Sequence, residues 1–105
     1  MYIEFEEEYL RELFEFGRTS DKRHRYRPEI VRGYVKCVNH LLRANNIEDL
    51  YPIHSLNYEV LRGDKLGRSS VRINNKYRLE FKIREFECEE ILSVCSLLEI
   101  SNHYR

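Results

Sequence analysis

The spacing of the hydrophobic residues changes near residue 60, and this change constrains the fold most. Before it, apolar residues recur every three or four positions; after it, they alternate with polar ones. The first spacing is typical of amphipathic helices, and the second of strands with one face toward solvent. A chain of 105 residues with these patterns in succession predicts one α+β domain over residues 1–105, with two N-terminal helices packed on a small antiparallel sheet.

The helical half divides at a polar, basic loop. A first helix is expected over Glu6–Phe16, where Gly17 can end it. A second helix is expected from Pro28, a residue that suits a first helical turn, to about Asn45. Because the loop between them is short, the two helices should form an antiparallel hairpin.

The length of one turn in the second half of the chain follows from the alternation of side chains between the two faces of a strand. A two-residue turn after Ile73 would place the apolar face of one strand against the polar face of the next. A three-residue loop over residues 74–76 instead pairs Val71 with Leu79, so the apolar faces agree. The next segment, Ile91–Ile100, is apolar at most positions and predicts a central strand covered on both faces.

The three-residue loop also gathers five cations on one face of the hairpin. They are Arg68, Arg72, Arg78, Lys82 and Arg84. Such a face is either solvated and paired with acids from elsewhere, or a surface that holds a nucleic-acid backbone through its phosphates. The spacing alone leaves both interpretations open.

The net charge of zero argues against a nucleic-acid-binding protein only if the charges are evenly spread. They are not, because residues 17–46 and residues 61–84 each carry eight bases and two acids, a net of +6. Acids dominate residues 1–16, 47–60 and 85–105. This segregation either creates positive patches that the total hides, or lets opposite blocks cancel by contact.

Several classes of protein find no support in the sequence. No apolar run is long enough to span a membrane, and the acidic first residues do not resemble a signal peptide. The three cysteines form no CxxC pair, so a cytoplasmic protein without a metal or cofactor is expected. Cys88 and Cys95 are interpreted as buried thiols rather than catalytic ones.

One histidine stands out from the other three. His103 and Tyr104 come directly after the most apolar strand, and the end of a packed strand holds the next residues in place better than a free tail would. The alternative is a frayed terminus without a role. His24, His40 and His54 are scattered and have no evident local partner.

Residues 60–81 resemble the HigB branch of the RelE/ParE toxin superfamily. The shared features are a turn Leu61-Arg62-Gly63-Asp64, a strand, an asparagine-rich loop, and a strand that begins Tyr77-Arg78. The chain end, Ser101-Asn102-His103-Tyr104-Arg105, resembles the end of that branch, although better-known members have the tyrosine before the histidine. The two leading helices and the length also agree.

The resemblance implies the toxin of a type II toxin–antitoxin module, which enters the ribosomal A site and cuts mRNA there. The implied partners are the ribosome, mRNA and a helix-turn-helix, HigA-like antitoxin. Chemically, His103 can act as acid or base, Tyr104 can stack on a base or position the phosphate, and Arg62 and Arg78 can grip the phosphate. The further RNA-binding candidates are Lys65, Arg68, Arg72, Lys82, Arg84 and Asn102.

The sequence leaves two alternative functions open. A ParE-like toxin would act on DNA gyrase and needs no nuclease residues. An inactive module would keep the fold and bind only the antitoxin. Glu59 is a further candidate base, from its position alone.

Overall fold

A computed structural model describes residues 1–87 and 89–102. The helices and strands, in chain order, are β1 (Tyr2–Phe5), α1 (Glu8–Phe16), α2 (Pro28–Arg43), β2 (Glu59–Val60), β3 (Ser69–Arg72), β4 (Tyr77–Glu87) and β5 (Ile91–Asn102). Short 3₁₀ turns occupy residues 22–24, 47–50, 54–56 and 63–65. Two helices followed by most of a sheet confirm the predicted α+β class.

The helix ends lie close to the predicted positions. Gly17 ends α1 in the left-handed region, at φ +76°, and its N–H donates to the Leu13 carbonyl. A residue with a Cβ would be strained at that φ, which explains the glycine. Pro28 begins α2 as predicted, whereas α1 starts at Glu8, two residues later than expected.

The sheet is mixed rather than wholly antiparallel, which corrects the prediction. The strand order is β1-β5-β4-β3-β2, and β1 pairs with β5 in parallel while the remaining pairs are antiparallel. Parallel pairing needs a long connection between the strands. Here both helices and three strands separate β1 from β5 in the chain.

The loop between β3 and β4 has three residues, as the alternation of apolar residues in the two strands predicted. Val71 pairs with Leu79, and the N–H of Ile73 donates to the Tyr77 carbonyl at 3.0 Å. The side-chain oxygen of Asn74 accepts the N–H groups of Lys76 and Tyr77 and so closes the loop. The apolar residues of both strands therefore face the helices.

A β-bulge in β5 corrects the prediction that this strand is apolar on both faces. Leu97 and Ile100 are both buried, although their spacing of three would place them on opposite faces of a regular strand. The register shifts here, so that Glu80 pairs with Glu99 while Phe81 pairs with Leu97. The extra residue returns both apolar side chains to the core and leaves Glu99 on the other face.

The core lies between the two helices and one face of the sheet. Its fully buried members include Leu10, Tyr34, Val38, Leu79 and Phe81. Burial raises the pKa of Cys37 and of Cys95 to about 12, so both thiols stay protonated at neutral pH. Cys95 is thus buried as interpreted; Cys88 lies outside the described residues.

One buried hydrogen bond ties the helices together, and its removal should be measurable. The Tyr34 hydroxyl donates to the Leu10 carbonyl at 2.7 Å. We expect Tyr34→Phe to lower the free energy of unfolding by about 1 kcal/mol, because the carbonyl loses this buried donor. Urea denaturation measures the effect. The matched control is Tyr51→Phe at an exposed site, and equal losses in the two variants would contradict the prediction.

Candidate functional site

The sheet face opposite the helices carries most of the predicted site residues. The register of β3 and β4 places Arg72, Arg78, Lys82 and Arg84 there, together with Glu80. Arg68 precedes β3, but its guanidinium reaches Glu80 and Glu99 on the same face. The predicted clustering of these five cations is therefore observed. We call this surface the open face.

Arg78 is the most firmly held residue of the open face. It is only 3% exposed. Its Nε donates to the Ser70 hydroxyl at 2.8 Å, and its Nη2 donates to the carbonyls of Ser70 and Asn57. Nη1 makes no hydrogen bond with the described residues. The guanidinium is thus fixed in orientation by the bonds of Nε and Nη2.

The charge on Arg78 survives its burial. Burial lowers the pKa of the guanidinium from its usual 12.5, and the nearby Glu59 carboxylate opposes this effect. Arginine nevertheless stays protonated in proteins at neutral pH. Lysine in the same place would lose its charge more readily, because its ordinary pKa is lower and shifts easily on burial.

A buried carboxylate organises the cations beside Arg78. Glu80 is 3% exposed and accepts Lys65 Nζ at 2.6 Å and Arg68 Nη1 at 3.0 Å. Arg68 Nη1 also donates to Glu99 at 2.8 Å. Burial alone would raise the pKa of Glu80, but its bonds to Lys65, Ser101 and Arg68 outweigh burial and lower it. Glu80 is therefore ionised at neutral pH.

The depressed pKa of Glu80 predicts a pH-dependent contribution to stability. Its folded pKa lies below the ordinary 4.5, so the stabilisation is present above 4.5 and is lost as pH falls through the folded value. We expect Glu80→Gln to lower the free energy of unfolding at neutral pH by about 1–2 kcal/mol, with a smaller difference in acid. Denaturant titrations across pH measure this. Glu99→Gln, at a more exposed carboxylate, should lower the free energy of unfolding by less. A loss of stability in Glu80→Gln that does not change with pH would contradict the prediction.

The open face is mixed in charge, and some of its cations pair with acids from elsewhere, which is one of the two interpretations that the sequence left open. Arg84 pairs with Glu4, and Arg68 pairs with Glu80 and Glu99. Glu4 and Glu99 belong to the acidic segments at the two ends of the sequence. Opposite charge blocks thus meet across the sheet, between strands that are not direct neighbours, and part of the positive charge of residues 61–84 is cancelled.

The other predicted site residues have varied positions. Arg62 is exposed just before the 3₁₀ turn at Gly63–Lys65, and Lys82 is exposed on β4. Arg72 donates to the Asn75 side chain. Asn102 pairs with Tyr77 at the end of β5. His103 and Tyr104 lie outside the described residues.

One histidine has partners that the sequence did not reveal. The His24 ring stacks on the Tyr9 ring, with centroids 3.6 Å apart and 2° between planes, and its Nδ1 lies 3.0 Å from an Asp21 carboxylate oxygen. Tyr9 in turn accepts the Ile100 N–H through its hydroxyl. The three-residue spacing of Asp21 and His24 was a sequence signal for their contact. The stacking of His24 on Tyr9 had no such signal, because it joins segments that are distant in the sequence. These residues support the end of β5.

Metal binding and membrane insertion find no support in residues 1–87 and 89–102. Within this part of the chain, no group of three or more His, Cys, Asp or Glu side chains could hold a metal ion. None of its helices combines the length and apolar character needed to cross a bilayer.

Comparison with known proteins decides the family. A family model described as the RelE-like toxin of the type II toxin–antitoxin system HigB matches residues 3–94. The chain belongs to this HigB-like toxin family. Toxin HigB-1 of Vibrio cholerae serotype O1 is 32% identical over 83 residues, which cover 78% of this chain and 83% of that protein. The matched residues of the family model include Arg62 and Arg78 and end before His103.

A solved structure agrees with the fold of this HigB-like toxin. The YoeB/ParE toxin from Agrobacterium tumefaciens superposes with a TM-score of 0.55, covering 99% of this chain and all of that one. Because the two share 20% identity, the likeness concerns the fold alone. Membership of the HigB-like family makes this chain the toxin of a type II toxin–antitoxin system, and it therefore has a cognate antitoxin as partner.

Proposed function

We propose that this HigB-like toxin is a ribosome-dependent endoribonuclease that cuts mRNA in the A site and so inhibits translation. The observation that supports this most is the buried, oriented guanidinium of Arg78 on the open face. Arg78 pairs with Ser101 on β5, two residues before His103 in the sequence. The guanidinium to which we assign phosphate binding thus lies near the end of β5, which the proposed acid–base group follows in the sequence.

The proposed reaction is a transesterification within the RNA strand. The 2′-hydroxyl loses its proton and its oxygen bonds to the adjacent phosphorus, while the bond from phosphorus to the 5′-oxygen breaks and that oxygen gains a proton. The products are a 2′,3′-cyclic phosphate and a 5′-hydroxyl end. The extra negative charge on the crowded phosphate is greatest in the transition state, where a fixed cation stabilises it most.

The proposal gives each residue near the reacting phosphate one role. Arg78 holds the phosphate through Nη1, and Arg62 adds a second, exposed guanidinium. His103 transfers a proton, since histidine exchanges protons near neutral pH. Tyr104 stacks on a base.

The remaining candidates bind the RNA strand along the open face. Arg72 and Lys82, which form no ion pair with described residues, contribute positive charge along β3 and β4. Lys65 and Arg68 are assigned hydrogen bonds to the RNA backbone, since Glu80 and Glu99 offset much of their charge. Arg84, already paired with Glu4, is assigned a peripheral contact. Asn102 is assigned to orient the substrate. No metal or cofactor is part of the proposal.

The proposed substrate also implies where in the cell the toxin acts and which molecules it binds. Ribosome-bound mRNA places the activity in the cytoplasm, with the ribosome as the assembly that presents the RNA. For the antitoxin we propose a helix-turn-helix, HigA-like protein. The open-face cations without an ion pair among the described residues, Arg72, Arg78 and Lys82, suit a ribosomal site because RNA phosphates attract them over several ångströms.

The proposal is tested by expressing the toxin with and without its antitoxin and mapping RNA ends. We expect new 5′ ends within translated messages, and cleavage of purified mRNA only when ribosomes are added. Arrested growth with intact messages would overturn the nuclease mechanism. In that case a change in DNA supercoiling would point to a gyrase inhibitor, and no arrest at all would point to an inactive module.

A further inference from the structure

The other basic segment, residues 17–46, has no part in the open face. It carries a net charge of +6, like residues 61–84. Among its eight cationic side chains, the only ion pair with described residues is that of Arg23 with Asp21, at 3.5 Å. This segment therefore has fewer paired cations than residues 61–84, where Lys65, Arg68 and Arg84 all pair with acids.

An apolar groove lies within this positive segment. A cavity of about 420 Å³ opens between the end of α1, the following loop and the first half of α2. Its walls are formed by Gly17, Tyr26, Pro28, Val31, Arg32 and Val35. Arg32 is the one charged side chain among these lining residues, so the groove is suited to an apolar side chain rather than to an ion.

The surface of α2 extends this groove along the helix. Pro28, Val35 and Leu42 are spaced seven residues apart and so lie on one side of α2, where Leu42 is 42% exposed. Arg32 and Lys36 are exposed one turn apart and form a neighbouring cationic row. An apolar row beside a cationic row is complementary to an amphipathic segment that carries acidic residues.

We propose that this groove and the outer side of α2 bind an acidic, amphipathic segment of the cognate antitoxin. Apolar side chains of that segment would enter the groove, while its carboxylates would pair with Arg32 and Lys36. RNA fits less well here, because a largely apolar groove offers little to a phosphate backbone. Tyr26, which forms one wall of the groove, also packs edge-on against Tyr77, with ring centroids 5.5 Å apart, so the position of its ring is fixed.

The test measures the affinity of purified toxin for the antitoxin encoded in the same operon, by calorimetry at low and moderate salt. We expect the charge reversal R32E/K36E to weaken binding about tenfold or more, with a smaller salt dependence than wild type. The matched control is R62E/K82E, which reverses two exposed cations outside the groove and should change affinity less than about threefold. Val35→Ala probes the apolar contact, and thermal unfolding confirms that each variant is folded.

Each other outcome overturns the proposal. Unchanged affinity of R32E/K36E, or equal weakening in both double variants, would show that the antitoxin does not recognise this groove. If R32E/K36E instead binds ribosomes more weakly but binds the antitoxin with wild-type affinity, the cationic row binds RNA and not the antitoxin. Because antitoxin binding is measured without any cleavage, failure here leaves the proposed nuclease function separately testable.

Discussion

Replacing His103 with alanine should lower the rate of ribosome-dependent mRNA cleavage about a thousandfold, the middle of the range for loss of a general acid or base. The reason is that neither removal of the 2′-hydroxyl proton nor protonation of the leaving oxygen proceeds easily near neutral pH without such a group. The measurement is single-turnover cleavage on programmed ribosomes as a function of pH. Wild type should show a pH dependence with a transition in the range where histidine titrates, and the variant should lose that transition.

The control for His103 is His54→Ala. His54 is exposed in a 3₁₀ turn and has no role in the proposed chemistry. We expect this variant to cleave at the wild-type rate. Unchanged cleavage by His103→Ala would remove His103 from the site, and an equal loss in both variants would indicate a general effect on folding.

Arg78→Lys should lower the cleavage rate about a hundredfold, because oriented donors at the transition state are worth this much. Lysine cannot reproduce the bonds from Nε to Ser70 and from Nη2 to Asn57, so its ammonium would not be fixed toward the phosphate. Buried beside these carbonyls, it would also lose charge more easily than arginine. The loss should appear in the cleavage step, with ribosome binding changed much less.

The matched control for Arg78 is Arg11→Lys. Arg11 is an arginine on α1 that pairs with Glu8 and Glu15, away from the open face. The same chemical change there should leave cleavage unaltered. Wild-type activity in Arg78→Lys would show that the buried guanidinium serves only the fold, and denaturant unfolding separates such a role from catalysis.

The course of the chain through the hairpin was predictable because it depends on local spacing. The need to keep Val71 and Leu79 on one face is enough to require a three-residue loop, whatever the rest of the molecule does. The bulge in β5 was not predicted, although Leu97 and Ile100 are three residues apart. A run apolar at nearly every position does not show which residues face the core.

The ion pairs of the site, in contrast, were not predictable from local spacing. The sequence separated acidic from basic segments, but whether they met was open. Contacts between distant residues decided this, as when Arg84 met Glu4 and Arg68 met Glu99. The stacking of His24 on Tyr9 is likewise a contact between segments, and no spacing rule predicts it.

The sequence by itself therefore determined the two helices, the hairpin register, the set of candidate residues and the resemblance that the family comparison confirmed. These depend on periodicity and on short motifs. Only the tertiary structure decided that Arg78 is buried and oriented, that Glu80 holds two cations, and that most of the positive charge of residues 17–46 is left unpaired among the described residues. The physical reason is that burial and ion pairing depend on which distant side chains become neighbours, and that is settled when the helices and strands pack.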